Sequence, residues 1–266
     1  MRIDIPKAVK ILDIVQENSI VKTYTLDISL GAYPGQFVNL WIPGLNEKPF
    51  SVAMDDGKKM KFSIAKVGSF TEKLDSYKVG QKLGIRGPYG TGFVCEKNQH
   101  LVLIAGGYGA APLFNFAQQA SQNGCKIEFI VGARNKDLLL YIDKIKEIEN
   151  VNLHICTDDG SMGFKGYTTD FLKKILETEK INCICTCGPE VMMKKISDIA
   201  YEKGIKAQIS VERYMKCGFG ICGNCVNDGT GKPSCKNGPV MWNEDVRKLT
   251  DFGKYHRDAE GRKISY

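Results

Sequence analysis

The sequence of 266 residues is 43% hydrophobic, which is enough for two cores of ordinary domain size. Its net charge of +7 comes from lysines spread along the chain, without the concentrated basic patch that nucleic-acid binding requires, so we predict no nucleic-acid partner. The N-terminal stretch carries scattered charges and no long apolar run, unlike a secretory signal or a membrane span, so we predict a cytoplasmic protein without a membrane contact.

Residues 1–97 are predicted to form an antiparallel barrel or sandwich. Alternating and β-branched residues predict strands over 20–30, 37–42 and 59–67, and turn pairs such as Pro34-Gly35 and Asp56-Gly57 separate the runs. Short strands at this spacing are typical of all-β domains.

Two loops of this first segment are candidate binding elements. The run "KPFS" starts at Lys48 and ends a predicted strand at Ser51, and "VGSFTEKL" opens a predicted helix with Ser69 or Thr71 as its cap. A cation and a helix N-terminus suit a dinucleotide pyrophosphate, and a hydroxyl beside a flavin can hydrogen-bond its N5 atom. Taken alone, both runs also fit ordinary barrel loops.

Residues 98–205 change to an alternation of apolar strands and helices. Strands are predicted in "HLVLIAGG", "KIEFIVGAR", "VNLHICTDDG" and "INCICTCGP", and helices over 112–123, in "LLLYIDKIKEIE" (138–149) and in "TDFLKKILE" (169–177). Continuous apolar strands between helices predict a parallel sheet that is covered on both faces.

The carboxyl edge of this sheet is the predicted nucleotide site. Gly106, Gly107 and Gly109 follow the first strand and precede a helix, where backbone amides can approach a pyrophosphate. The run "CGP" at Cys187, Gly188 and Pro189 ends another strand at the same edge. Arg134 could contact a 2′-phosphate or only solvate the edge, so the choice between NADH and NADPH stays open. A lone glycine loop would also fit a plain strand-to-helix turn.

Four cysteines in the last segment, 206–266, predict an iron-sulfur cluster. Cys217, Cys222, Cys225 and Cys235 are separated by four, two and nine residues, which is the plant-type binuclear spacing. Glycines between them allow the backbone to turn around inorganic sulfide. Zinc is the main alternative, although zinc sites favour two short paired spacings. Five other cysteines sit singly or in apolar runs and receive no role; they are Cys95, Cys125, Cys156, Cys183 and Cys185.

The combined order of motifs resembles a known superfamily. The runs "YPGQFVNL", "KPFS", "GSFT", "GIRGPYGTGF", "AGGYGAAP" and "CGP" resemble the ferredoxin-NADP reductases, and "VERYMKCGFGICGNC" with "CKNGPV" narrows the resemblance to electron transfer subunits of type B dihydroorotate dehydrogenase. Lys48 stands where that family has arginine, and Phe70 departs from its second flavin motif. The resemblance implies FAD contacts at Lys48, Pro49, Phe50, Ser51, Ile64, Ala65, Lys66, Gly68, Phe70 and Thr71, NAD contacts at the glycine loop and "CGP", and cluster ligation by the four cysteines.

The resemblance also implies a domain plan and a function. A flavin-binding barrel (1–97), a nucleotide-binding α/β domain (98–205) and a [2Fe-2S] domain (206–266) would relay electrons from the FMN of a dihydroorotate-oxidising catalytic subunit to NAD, in a heterotetramer with two copies of each subunit. No catalytic acid–base residue is expected. The alternatives are the flavin subunit of an NADH-dependent ferredoxin:NADP oxidoreductase or of a cytoplasmic hydrogenase, and a non-enzymatic redox sensor.

Overall fold

The computed structural model describes residues 5–266. Residues 1–4, which belong to the predicted first domain and to the N-terminal stretch compared with a signal, lie outside the described part. Two seven-stranded sheets dominate the described chain, the first antiparallel and the second mainly parallel. This confirms the predicted fold class.

The first sheet lies before residue 90. Its elements are β1 (Lys7–Gln16), β2 (Val21–Leu26), β3 (Phe37–Ile42), β4 (Asn46–Ser51), β5 (Met54–Asp55), β6 (Met60–Ala65), helix α1 (Ser69–Asp75) and β7 (Lys82–Tyr89). The strands pair antiparallel in the order β4-β3-β7-β1-β2-β6-β5. The predicted strand over 37–42 coincides with β3, whereas β2 and β6 are shorter than predicted.

This sheet rolls around a single apolar core. Val38 and Leu40 of β3 share the core with Phe62 and Ile64 of β6, although β3 and β6 lie near opposite ends of the strand order. A sheet must curl to bring its two ends together, as it does in a barrel. Leu74 of α1 is fully buried in the same core.

The start of α1 differs from the prediction of Ser69 or Thr71 as cap. The N-cap is Gly68, and Ser69 is the first helical residue. The Thr71 hydroxyl accepts hydrogen bonds from the backbone N–H groups of Val67 (2.9 Å) and Gly68 (3.1 Å). Thr71 therefore reaches back from the third helical position, which is the reverse half of a capping box.

The second sheet contains the predicted strand–helix alternation. Its elements are β8 (His100–Gly106), α2 (Ala110–Gln122), β9 (Lys126–Ala133), α3 (Ile142–Lys146), β10 (Val151–Thr157), β11 (Phe164–Lys165), α4 (Thr168–Thr178), β12 (Cys183–Cys187), α5 (Glu190–Glu202), β13 (Lys206–Ser210) and β14 (Val240–Trp242). The strand order is β11-β10-β9-β8-β12-β13-β14, and the pairs are parallel except for β13 with β14.

Helices cover both faces of this sheet. Leu101 and Leu103 of β8 face α2, where they pack in one cluster with Phe116. Val102 and Ile104, between them in sequence, face the opposite side and pack with α4 and α5. Because side chains alternate along a strand, a strand that is covered on both faces must be apolar throughout, as the sequence predicted.

The helix predicted over 138–149 is much shorter. Only Ile142–Lys146 is helical, because Tyr141 adopts the left-handed conformation (φ +65°) and Leu139 and Leu140 are buried in the core instead. A β-carbon makes that backbone conformation costly, so a helix cannot continue through Tyr141. The hydroxyl of Tyr141 hydrogen-bonds Ser63 and thereby joins the second sheet to the barrel.

The second sheet is not confined to residues 98–205. Strands β13 and β14 come from beyond residue 205 and complete its edge. The division into 1–97, 98–205 and 206–266 stays a prediction, and the sheet favours a later second boundary. The remaining elements are α6 (Ser234–Asn237), α7 (Asn243–Val246), β15 (Tyr255–Arg257) and β16 (Lys263–Ser265). No described helix has both the length and the apolar run needed to cross a membrane.

Candidate functional site

A cavity of about 260 Å³ lies between the barrel and the second sheet. Six of the ten predicted FAD residues line it; they are Pro49, Phe50, Ser51, Ile64, Ala65 and Thr71. The barrel thus presents its two candidate loops and the end of β6 to one space, which we call the flavin cavity. An apolar cleft with a few polar groups between two domains is a common cofactor site, so these residues fit a flavin.

The other four predicted FAD residues do not line the flavin cavity. Lys66 forms an ion pair with Asp75 (Nζ to Oδ2, 3.1 Å), and Gly68 caps α1. Phe70 is buried in the barrel core, where its ring lies 5.6 Å from that of Phe50. The side chain of Phe70 therefore supports a cavity residue from behind.

The Lys48 side chain contacts Tyr214, a residue far along the chain. Its ammonium donates a hydrogen bond to the hydroxyl of Tyr214 (2.9 Å) and lies 4.7 Å from the centre of that ring. Tyr214 belongs to the run that leads into the four cysteines. The barrel loop predicted to bind FAD is therefore tied to the start of the cluster loop.

Four residues of the run that leads into the cysteines line the flavin cavity and were not predicted. Val211, Glu212, Arg213 and Met215 follow β13, and β13 ends at the carboxyl edge of the parallel sheet. Desolvation by the surrounding protein raises the pKa of the Glu212 carboxyl. The nearby negative charge of Glu190 raises this pKa further. The signal that could have identified them is the run "KAQIS", a short strand after α5 whose end places the next residues at the ligand-binding edge of the sheet.

A second cavity of about 390 Å³ lies at the carboxyl edge of the parallel sheet. Gly106, Gly107 and Pro189 line it, as the nucleotide prediction requires. Gly188 (φ +152°) lies behind them, where a β-carbon would come within 2.8 Å of the Gly106 Cα atom. The two loops can approach this closely because residue 188 has no side chain, and we call the space the nucleotide cavity.

Two residues predicted for the nucleotide face the flavin cavity instead. Gly109 and Cys187 both line the flavin cavity. The first turn after β8 crosses from one cavity to the other, so residues only three apart fall on different sides. Tyr108, which was not predicted, is the one residue of the described chain that borders both cavities.

The nucleotide cavity contains charges of both signs. Arg134, Lys195 and Asp158 line it, together with the start of α4 at Thr168. A helix N-terminus and two cations suit phosphate groups, and an acid suits ribose hydroxyls. The cavity therefore fits a dinucleotide.

The four predicted cluster ligands stand as two pairs. The thiols of Cys217 and Cys222 are neighbours, and so are those of Cys225 and Cys235. Within residues 5–266, no three or more His, Cys, Asp or Glu side chains converge on a single ion position. Two pairs of thiols, one for each metal atom, are the donor set of a binuclear cluster, so the residues fit a [2Fe-2S] centre.

The local backbone prepares one of these thiols, that of Cys217, for metal binding. Burial opposes ionisation of Cys217, but N–H groups of Cys222, Phe219 and Ile221 outweigh it and lower its pKa to about 6. The Ile221 N–H lies 3.4 Å from Cys217 Sγ. Burial and the neighbouring Cys225 thiol raise the pKa of Cys235 to about 12, so metal binding at this thiol must displace its proton.

The barrel holds the cluster loop in place. Arg86 donates hydrogen bonds to the carbonyls of Cys217 and Lys216, and Asn39 donates to the Lys216 carbonyl (2.9 Å). A β-carbon on Gly218 (φ +86°) would lie 2.8 Å from the Tyr89 ring. The loop can pack on the barrel this closely because residue 218 is glycine.

The flavin cavity and the cysteines share an apolar wall. Phe37 and Met215 line the cavity, and both belong to one buried cluster with Cys225 and Cys235. The inner pair of thiols therefore lies behind the cavity wall, while Cys222 of the outer pair is exposed. The three sites follow one another as nucleotide cavity, flavin cavity and cysteine pairs.

Two family comparisons match separate parts of the chain. Residues 212–247 match the iron-sulfur cluster binding domain of dihydroorotate dehydrogenase B, and residues 103–198 match the oxidoreductase NAD-binding domain. The chain is 47% identical to a protein of Methanocaldococcus jannaschii named probable dihydroorotate dehydrogenase B (NAD(+)), electron transfer subunit, over 98% of this chain and 99% of that protein. A protein of Methanothermobacter thermautotrophicus with the same name is 40% identical, over 99% and 98%.

Solved structures share the fold. A chain from the structure of the NADH-dependent reduced ferredoxin-NADP oxidoreductase, studied for flavin-based electron bifurcation, matches with a TM-score of 0.82 and 31% identity, over 89% of this chain and 88% of that chain. The cytochrome b5 reductase domain of Ulva prolifera nitrate reductase matches with a TM-score of 0.65 and 16% identity, over 77% and 97%. The second likeness concerns the fold alone.

Proposed function

The chain belongs to the family of dihydroorotate dehydrogenase B electron transfer subunits, and from this premise we propose the route and the partner of its electrons. It is the NAD-linked oxidoreductase component that carries electrons from dihydroorotate oxidation in pyrimidine biosynthesis. Dihydroorotate is oxidised on a separate catalytic subunit that carries FMN, and NAD+ is the final acceptor. We expect two copies of each subunit in one cytoplasmic complex, where cysteines that form no disulfide remain reduced.

This proposal is supported by the positions of the nucleotide cavity, the flavin cavity and the cysteine pairs, which adjoin one another in that order. FAD, when bound, exchanges hydride with nicotinamide and single electrons with a [2Fe-2S] centre. Ser51 offers a hydroxyl to the flavin cavity, and the loops at Gly106 and Pro189 position the nucleotide beside it. Phe37 and Met215 keep water out of the space between the cavity and the inner thiols, which favours electron transfer over side reactions.

The four cysteines divide into an inner and an outer pair. Cys225 and Cys235 are buried behind the flavin cavity, and Cys222 is exposed beside Ile221, which is 68% exposed. We assign Cys217 and Cys222 to the metal atom nearer the partner, and Cys225 and Cys235 to the one nearer the flavin. Lys48 would bind the pyrophosphate of FAD from its position beside Tyr214.

Purification of the native complex tests the function. We expect the chain to co-purify with a catalytic subunit that oxidises dihydroorotate, and the complex to reduce NAD+ with dihydroorotate as donor. The chain alone should contain FAD and reduce ferricyanide with NADH, but it should not oxidise dihydroorotate. A chain that lacks NADH–ferricyanide activity while it holds a cluster would instead support a redox sensor.

One specific observation favours a second candidate. The match with the NADH-dependent reduced ferredoxin-NADP oxidoreductase, at 31% identity, covers 89% of this chain and 88% of that chain. The chain would then be the flavin subunit of such an enzyme. A native complex that exchanges electrons between NADH, NADPH and ferredoxin, without dihydroorotate oxidation, would replace the first proposal with this one.

A further inference from the structure

Arg86 of β7 joins the barrel to the cluster loop through a fully bonded guanidinium. Its side chain is only 9% exposed. Its five N–H groups all donate hydrogen bonds, and the acceptors are the two carboxylate oxygens of Glu47, the Tyr89 hydroxyl and the carbonyls of Lys216 and Cys217. A guanidinium is a rigid planar fork with five donors, so these partners fix both its position and its orientation.

The two charges of the Arg86–Glu47 ion pair lie at unequal distances from the cluster ligands. Glu47 of β4 occupies the edge of the fork formed by Nε (2.6 Å to Oε1) and Nη2, whereas the Cys217 carbonyl binds Nη1 on the other side. The positive charge is therefore nearer to Cys217 than the negative charge is. Lys216 and Lys236 of the same loop are exposed, so water screens their ammonium groups more than it screens this pair.

A cluster held by four cysteines becomes more negative when it is reduced. Its thiolates make the oxidised centre an anion, and reduction adds one electron to it. A cation beside the centre stabilises the reduced form, and an anion beside it stabilises the oxidised form. Charges and hydrogen bonds around the ligands are therefore among the features that set the potential of such a centre. Arg86 and Glu47 act on this potential in opposite directions.

Resting on the proposed function, which places a [2Fe-2S] centre on the four cysteines, we propose that Arg86 and Glu47 are positioning residues that set its reduction potential. Arg86 raises the potential, and Glu47 lowers it by a smaller amount. Because the guanidinium also holds the Cys217 and Lys216 carbonyls, the first ligand keeps its place when an electron arrives or leaves. Both side chains line an open surface groove beside Trp41, apart from the flavin and nucleotide cavities, so the pair acts on the cluster without touching either ligand.

The test is a redox titration of the cluster in the full chain, followed by electron paramagnetic resonance. We expect Arg86→Gln to lower the equilibrium constant for cluster reduction by about tenfold, which is about 59 mV for one electron. Glu47→Gln should raise the same constant by about threefold, because the carboxylate lies farther from the ligands. The double variant should lie between the two single variants. Glu17→Gln, which removes the partner of Lys144 in α3 (2.7 Å), is the matched control and should leave the constant unchanged.

The direction of the two shifts separates charge from structure. Both single variants break the same ion pair, so a loosened loop would move the potential in the same direction in both. Shifts of equal sign, or no shift in either variant, overturn the role of the pair and leave the proposed function standing. If Arg86→Gln loses its iron, Glu47→Gln keeps the guanidinium and its bonds to the loop, and the direction of its shift decides alone. A wild-type chain without iron and acid-labile sulfide would overturn the proposed function together with the role of the pair.

Discussion

Ser51 places a hydroxyl in the flavin cavity at the end of β4. Within residues 5–266 this hydroxyl has no hydrogen-bond partner, although the residue is partly buried. A polar group that is kept unbonded beside a cofactor space is available to the cofactor. The sequence identified Ser51 through "KPFS", and the structure brings it to the same space as Cys187 and Glu212.

We predict that Ser51→Ala slows reduction of the flavin by NADH by about fivefold, since one hydrogen bond contributes about 1 kcal/mol and about 1.36 kcal/mol is a factor of ten in rate. FAD content should stay unchanged, because several other groups line the cavity. Stopped-flow absorbance measures the rate. Ser69→Ala, at an exposed helical position, is the matched control. A Ser51→Ala rate equal to the wild type would remove Ser51 from the site.

Glu128 is a buried carboxylate of β9, far from the cavities. It is 3% exposed and accepts hydrogen bonds from His154 (2.7 Å), Asn152 (2.9 Å) and His100 (3.3 Å). Burial opposes its ionisation, but these hydrogen bonds outweigh burial and hold the pKa of Glu128 below the usual value of a glutamate. A carboxyl with a depressed pKa stabilises the folded state above its unfolded pKa, and this contribution is lost as the pH falls.

We predict that Glu128→Gln lowers the free energy of unfolding by about 1–3 kcal/mol near neutral pH, because the charged acceptor is lost in a buried network. The difference between wild type and variant should shrink as the pH falls below the ordinary glutamate pKa of about 4.3 and through the lower pKa of the folded state, where the wild-type carboxyl also becomes protonated. Urea unfolding at several pH values measures this. Glu179→Gln, at a side chain that is 39% exposed, should cost less than about 0.5 kcal/mol. A difference that is independent of pH would contradict the ionic role.

At the scale of elements, the cluster loop has little regular structure of its own. Between β13 and β14 the described chain forms only the short helix α6, and the loop is held by Arg86 and Asn39 of the barrel and by packing on Tyr89. Such a segment depends on its metal for local order, since metal binding contributes folding free energy.

We predict that Cys222→Ser lowers the iron content from two per chain to less than about half of that, because four thiolates are needed for the binuclear centre. FAD content should not change, because the cavity lies behind the inner pair. Iron and acid-labile sulfide assays decide this. Cys95→Ser, at a partly exposed cysteine outside the loop, should keep all its iron. Stoichiometric zinc in the wild type would contradict the assignment.

In the whole molecule, the nucleotide cavity, the flavin cavity and the cysteine pairs adjoin one another in that order. Tyr108 lines both cavities, and Phe37 and Met215 line the flavin cavity and pack in one cluster with the inner cysteines. The two halves of the relay can therefore be tested separately.

We predict that Cys222→Ser keeps NADH–ferricyanide activity within about twofold, because ferricyanide accepts electrons directly from reduced flavin. In the reconstituted complex, the same variant should lose dihydroorotate-dependent NAD+ reduction by about a hundredfold or more, because the path to the partner is cut. Both activities should be measured on one preparation with FAD occupancy checked, since a folding defect would lower both. If the cluster-free complex reduced NAD+ at the wild-type rate, the cluster would have only a structural role and the proposed electron path would be wrong.

The sequence by itself determined the features that short stretches encode. The four cysteines lie within 19 residues, so their spacing alone predicts a binuclear cluster, and the apolar runs between helices alone predict a covered parallel sheet. The overall function followed from the combination of such local motifs.

Only the tertiary structure decided which residues share a space. Lys48 meets Tyr214 across 166 positions, Glu212 joins the flavin cavity from the last segment, and Gly109 faces away from the nucleotide. These contacts depend on strand order and on how the barrel packs against the second sheet, and neither leaves a periodic signal in the sequence. The helix predicted over 138–149 begins only after Tyr141 for the same reason: the contact of Tyr141 with Ser63 in the barrel accompanies a left-handed backbone conformation that local sterics disfavour.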